Sequence, residues 1–229
     1  MAQSVLQQTL ELLRLHQASH TSVGALYRWR TLVEVVVAAE RKSRRSLTDP
    51  QWMEHGPLGS PQEAAAAQVD GLAEFLKGQG YTPRMASPLR GLAQWWLRDD
   101  GREAEEAYGW ERPADQLRHE LRRIRGVSLT LADRILLFVG GLPVFPLERG
   151  VLRVIARHGW MEVTADYEEW QEFFTRGSRE GDWPLAELAG RLVSLGREHC
   201  RGSPDCDGCP LAPMLPRSGP VALMDSEEG

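Results

Sequence analysis

Lysine is nearly absent from this 229-residue chain: Lys42 and Lys77 are the only two, and every other basic residue is arginine. Lysine-based nucleophilic chemistry therefore has at most two side chains to run on. Cysteine is scarce too, with three residues confined to 200–209, which excludes a disulfide-stapled miniprotein. No apolar run approaches the ~20 residues of a membrane span. The N-terminal Met-Ala-Gln-Ser lacks the basic region and apolar stretch of a signal peptide, so the cytoplasm is the expected compartment. Strand signals are missing as well. Val35–Val37 is the one strand-like run, and nothing nearby could pair with it.

What remains is a globular composition, with 42% hydrophobic and 26% charged residues. The net charge of −5 speaks against a nucleic-acid partner until its distribution is read. Residues 99–111 hold six acids and Arg102, a local −5, whereas 112–157 hold nine arginines against Asp115, Glu120, Asp133 and Glu148, a local +5. A basic face of that kind matters more for phosphate binding than the total. Solvated helix faces would give the same segregation.

Apolar periodicity is helical nearly throughout, and the expected fold class is all-α. Helices are expected over 3–16, 26–40, 62–77, a stretch following Pro83, and about 114–124, 129–139, 147–158, 166–175 and 184–196. The acidic stretch 99–113 reads as an exposed loop. Trp95 and Trp96 sit at core spacing on a helix rather than as a base-stacking platform. His16, His20, His55, His119 and His158 show no ligand spacing.

The segment with chemical content is 117–157. A basic helix carrying Arg122, Arg123 and Arg125 ends at Gly126, a Gly126-Val127-Ser128 turn follows, and an apolar helix then runs to Gly140-Gly141. Such a turn can aim the second helix's N-terminal amides, with nearby arginines, at a phosphate. An ordinary helical hairpin packed in a core has the same outline.

Ile124-Arg125-Gly126-Val127-Ser128-Leu129-Thr130-Leu131-Ala132 nevertheless resembles the hairpin of the helix-hairpin-helix (HhH-GPD) DNA glycosylase superfamily, in its endonuclease III-like form. The spacing from this hairpin to Glu148, in Leu147-Glu148-Arg149-Gly150-Val151-Leu152-Arg153-Val154, matches the family's spacing to its catalytic carboxylate without a gap. Gly196-Arg197-Glu198-His199-Cys200, followed by Cys206, Cys209 and Pro210, resembles the entry to the family's iron–sulfur loop. Leu32–Arg41 resembles an upstream apolar helix, after which Arg41 stands near the place where the family reaches into the duplex. The resemblance covers about residues 26–210.

That resemblance implies a two-lobed, all-α glycosylase fold with a C-terminal cysteine loop. Residues 1–20 would form a helix packed on the second lobe, 21–135 a helical barrel lobe with the hairpin at 118–135, 136–210 the second lobe with the catalytic segment, and 211–229 a flexible tail. It implies DNA contacts from Arg122, Arg123, Arg125, Gly126, Val127, Ser128 and Arg41, with Glu148 and Thr130 at the catalytic positions. The implied partner is double-stranded DNA with a damaged base or abasic site, bound by a monomer associated with the nucleoid.

Departures from the family shape the expected chemistry. Thr130 stands where a bifunctional glycosylase has its Schiff-base lysine, and a hydroxyl cannot form that adduct. The adenine-glycosylase branch has serine there and mainly removes bases. Glu148 replaces aspartate, keeping the charge on a side chain one methylene longer. The cysteine loop retains three of four ligands, with Leu215 at the fourth position. Cys200, Cys206 and Cys209 allow a [4Fe–4S] cluster with a non-cysteine ligand (Asp207, His199 or solvent), a cluster-free loop, or zinc with His199. The expected function is base excision by a DNA glycosylase without efficient lyase activity. The alternative is a catalytically degenerate relative that binds damaged or distorted DNA.

Overall fold

The computed structural model describes residues 2–16, 28–39, 53, 56–98, 110–176 and 184–223. Glu40, Arg41, Lys42, Arg44, Arg45 and the acidic residues of 99–109 lie outside the described residues, and so do the expectations placed on them. Among the described residues there are helices and no strands, as expected of an all-α chain. No helix is long and apolar enough to cross a membrane.

The chain divides into two compact units, Val23–Leu142 and a second formed by Met1–Ser22 with Pro143–Gly229. Helix α1 (Ala2–His16) belongs to the second unit, and the helices of the first are α2 (Arg28–Ala39), α3 (Pro61–Ala66), α4 (Val69–Gly78), α5 (Ala86–Trp96), α6 (Ala114–Arg122) and α7 (Leu129–Phe138). Leu32, Val33, Val36 and Val37 of α2 form a buried stripe at helical spacing, and α2 packs on α7. Leu117 and Leu121 of α6, one turn apart, are fully buried where α6 packs on α7.

The expected single helix over 62–77 is two. Ser60 caps α3 by accepting from the Glu63 N–H, and α3 ends where Ala67 and Gln68 adopt extended backbone. Tertiary packing overrides the helix propensity of the alanine run here: the break lets Ala64 of α3 and Leu72 and Leu76 of α4 all be fully buried, with both helices against α5. The expected exposed loop also fails at its C-terminal end. Trp110 is buried, edge-on to Trp95 and Trp96, and stands against Gly140, where a Cβ would lie 2.3 Å from the indole. Burying so large an apolar ring outweighs the polarity of its neighbours.

The second unit contains α1, α8 (Arg149–Arg157), α9 (Tyr167–Thr175) and α10 (Leu185–Glu198). Leu6, Leu10 and Leu13 of α1 are buried, and Arg14 pairs with Glu187 at 2.5 Å, tying α1 to α10. Asp166 opens α9 with a reciprocal capping box to Glu169. Residues 211–223, expected as part of a flexible tail, are held instead: Leu211 is fully buried, Ala212–Met214 form a 3-10 turn, and the Val221 N–H donates to the Arg157 carbonyl at 2.9 Å.

Candidate DNA-binding, carboxylate and cysteine-loop sites

The hairpin turn is dictated by one residue. Gly126 has φ +87°, and a Cβ there would sit 2.7 Å from Pro88 Cγ, so both backbone angle and close approach demand glycine. Ile124 packs against Gly91 of α5, Val127 is buried, and the Val127 N–H donates to the Ile124 carbonyl at 3.0 Å. Ser128 caps α7 by accepting from the Leu131 N–H at 3.2 Å. Arg122, Arg123, Arg125, Gly126 and Ser128 are exposed around this turn, and Thr130 is partly exposed in the first turn of α7. The three arginines have no ion-pair partner among the described residues. Unneutralised guanidinium groups beside the positive end of a helix form an anion-binding edge.

Behind the turn, Asp133 is fully buried in α7 and accepts from Arg118 Nε of α6 at 2.7 Å, while Arg118 also reaches Asp115. This pair joins the two hairpin helices, and sequence reasoning did not single it out. The i to i+15 separation of Arg118 and Asp133 gives no local signal of contact.

Glu148 is the N-cap residue of α8, in extended conformation, and its side chain does not cap the helix. Two devices place it. The preceding loop is pinned by Gln171, which accepts from the Phe145 N–H at 2.8 Å and donates to the Phe145 carbonyl at 2.6 Å, while Phe145 stacks on Phe174 with centroids 3.7 Å apart. The start of α8 then lies against α10 through glycine: a Cβ on Gly196 would fall 2.7 Å from the Gly150 carbonyl carbon. The result is a half-buried carboxylate, 19% exposed, accepting from Arg197 Nη2 at 3.4 Å. Arg197 was visible only as part of a loop-entry motif; the close approach of α8 and α10 gives it a role beside the acid.

Cys200, Cys206 and Cys209 line one small hollow, partly open to solvent, together with Val154, Arg157, His158, His199 and Leu215. All three are free thiols. Asp207 is exposed and is not among the lining residues. Burial pushes the Cys209 thiol above its usual range, and its neighbours Cys206 and Cys200 add to the shift. The backbone N–H groups of Leu211 and Ala212 oppose it by donating to the sulfur, the direction that favours thiolate.

Beneath the loop, α8 contributes two arginines one turn apart. Arg153 Nε donates to the Cys200 carbonyl at 2.9 Å, and the buried Arg157 donates to Cys200 Sγ at 3.3 Å and to the carbonyls of Arg201 and Gly202. His158 is a core residue, its ring nitrogens 2.6 Å from the Val154 carbonyl and 3.1 Å from that of Leu211.

Cys200, Cys206 and Cys209 are the residues that would hold an iron–sulfur group. Among the described residues, no three His, Cys, Asp or Glu side chains converge as ligands of one metal ion, which a tetrahedral zinc requires. A cubane cluster binds its ligands at separate irons, so thiols spread around one hollow suit it. N–H donors aimed at sulfur and a buried guanidinium suit its negative charge.

No family model matches the chain. Relatives and solved structures do. An endonuclease III from Sulfolobus acidocaldarius is 34% identical over 96 residues, 41% of this chain and 42% of that protein. A provisionally named DNA repair glycosylase from Methanocaldococcus jannaschii is 27% identical over 142 residues, 62% of this chain and 64% of its own length. The matched segment thus spans less than two thirds of either relative. Among solved structures, an endonuclease III–DNA covalent intermediate superposes with a TM-score of 0.61 at 20% identity, covering 93% of this chain and 95% of that one. A Helicobacter pylori 3-methyladenine DNA glycosylase bound to 1,N6-ethenoadenine gives 0.60 at 20% identity, covering 86% and 97%. The solved structures show that the chain has the fold of endonuclease III and related DNA glycosylases, and over part of its length its sequence is similar to an endonuclease III and to a DNA repair glycosylase.

Proposed function

We propose that the protein is a DNA base-excision repair enzyme: a glycosylase that hydrolyses the N-glycosidic bond of a flipped damaged or mispaired base in double-stranded DNA, without efficient strand cleavage. The observation that carries this reading is the placement of Glu148 as an acid at the start of α8, half-buried and held by Gln171, Gly150–Gly196 and Arg197. Placement of this carboxylate by several independent contacts supports a chemical role over a capping one, since its side chain makes no cap hydrogen bond.

Base flipping exposes C1′ to an enzyme that cannot reach it in the stack. As the base leaves, positive charge develops on the deoxyribose, and the Glu148 carboxylate opposes it. The same carboxylate accepts a proton from the water that attacks C1′, and the departing base takes a proton from solvent. Arg197 keeps the acid oriented until substrate arrives. The exposed Arg122, Arg123 and Arg125, with the amides at the start of α7, bind backbone phosphate and contribute salt-dependent affinity without reading sequence.

Among the described residues, lyase chemistry has no amine nucleophile beside the acid. Thr130 offers a hydroxyl, and Lys77 is exposed on α4 with its ammonium 3.6 Å from Glu74. An iron–sulfur cluster held by Cys200, Cys206 and Cys209 would cross-link the loop that α8 carries through Arg153 and Arg157. It would supply no step of base release.

The test is a panel of duplexes carrying uracil, thymine glycol, 3-methyladenine, 8-oxoguanine opposite adenine, or an abasic site. Base release from at least one, abolished in Glu148→Gln with DNA binding retained, is expected. Binding without release from any would establish a DNA-binding relative instead. A borohydride-trapped covalent complex of the wild type with abasic DNA would overturn the monofunctional assignment.

A further inference from the structure

The fourth corner of the cysteine loop has no cysteine, yet the hollow contains a nitrogen with nothing to bind. His199 Nδ1 is buried and has no hydrogen-bond partner, although a buried ring nitrogen normally finds one. The ring lines the same hollow as Cys200, Cys206 and Cys209, whereas Leu215, which also lines it, has no ligating atom. A second orphan points the same way. Arg157 is 6% exposed, and its partners are the Cys200 sulfur and two carbonyls, with no carboxylate among the described residues. Burying a cation against neutral groups is costly, and an anion in the hollow removes that cost.

We propose that His199 Nδ1 is the fourth ligand of an iron–sulfur cluster whose other three ligands are Cys200, Cys206 and Cys209, with Arg157 as its buried counter-charge. A neutral imidazole in place of a thiolate leaves the cluster one negative charge poorer. Imidazole ligation of this sort raises the reduction potential, and the guanidinium donor on Cys200 Sγ adds to the effect. The inference concerns the cofactor alone and stands or falls independently of base release.

The experiment uses the full chain, purified anaerobically and reconstituted with ferrous iron and sulfide. Iron and sulfide in equal amounts, a broad absorbance near 400 nm, and a strongly coupled 14N signal in pulsed EPR of the reduced protein are expected. His199→Ala loses the 14N coupling and releases its iron to a chelator faster than the wild type. His199→Cys, which restores a thiolate and keeps the loop occupied, retains the cluster, loses the nitrogen signal and lowers the reduction potential. Protein that takes up no iron, or takes up zinc instead, overturns the proposal entirely. A cluster without nitrogen coupling, or a potential unmoved in His199→Cys, overturns the assignment of His199.

Discussion

Two glycines on α10 separate propensity from packing. Replacing glycine by alanine inside a helix ordinarily stabilises it by up to about 1 kcal/mol. At Gly190 a Cβ would meet nothing within 4 Å, so Gly190→Ala should realise that gain, raising the melting temperature by about 2 °C in a chain of this length. At Gly196 the same Cβ would lie 2.7, 2.9 and 2.9 Å from the carbonyl carbon, Cα and oxygen of Gly150. These are backbone atoms, so no rotamer change relieves the overlap and α8 itself must move. Overpacking of this kind costs about 1–3 kcal/mol, and the rigid neighbour puts it at the upper end. Less the helix gain, Gly196→Ala should destabilise by about 2 kcal/mol and lower the melting temperature by about 4–8 °C. The displacement occurs two residues from Glu148, so base release measured well below the transition should fall even where the variant is fully folded. Urea titrations and single-turnover assays on both variants give the answer. Equal stabilisation by the two substitutions, or a Gly196→Ala variant with wild-type stability and rate, would refute the contact and the placement of the acid by it.

Gly126→Val forces a β-branched residue to φ +87° and into Pro88, and should weaken binding to abasic duplex while costing at least about 1 kcal/mol in a denaturant titration. Asp133→Asn removes the charge opposite Arg118 in a fully buried position, and should cost about 3–5 kcal/mol by the same measurement. Acid should also loosen α1 from α10. Hydrogen bonding from Arg14, with that from Arg191, holds the Glu187 carboxyl down at about 2 against an ordinary 4.5. Because the folded value is the lower one, this stabilisation is complete above about pH 4.5 and is lost as pH falls toward 2. Urea midpoints across that window should fall less steeply in Glu187→Gln than in the wild type.

Helical periodicity was enough to place nearly every helix, because an amphipathic stripe records which face is buried whatever it is buried against. Leu117 and Leu121, or Leu6, Leu10 and Leu13, declare themselves by spacing alone. The hairpin was legible for a related reason: Gly126-Val127-Ser128 is local chemistry, with φ > 0, a buried apolar residue and a cap in three consecutive positions. The three cysteines, the acid at 148 and the missing lysine could likewise be read off the chain. Partnership could not. That Arg197 faces Glu148, that Arg157 lies under Cys200, that Gly196 admits the backbone of Gly150, and that His199 turns an unpaired nitrogen into the cysteine hollow all depend on how α8 and α10 cross. The break between α3 and α4 and the burial of Trp110 belong with them. Each is settled by close packing between segments distant in sequence, where a contact a few tenths of an ångström too tight outweighs any local propensity.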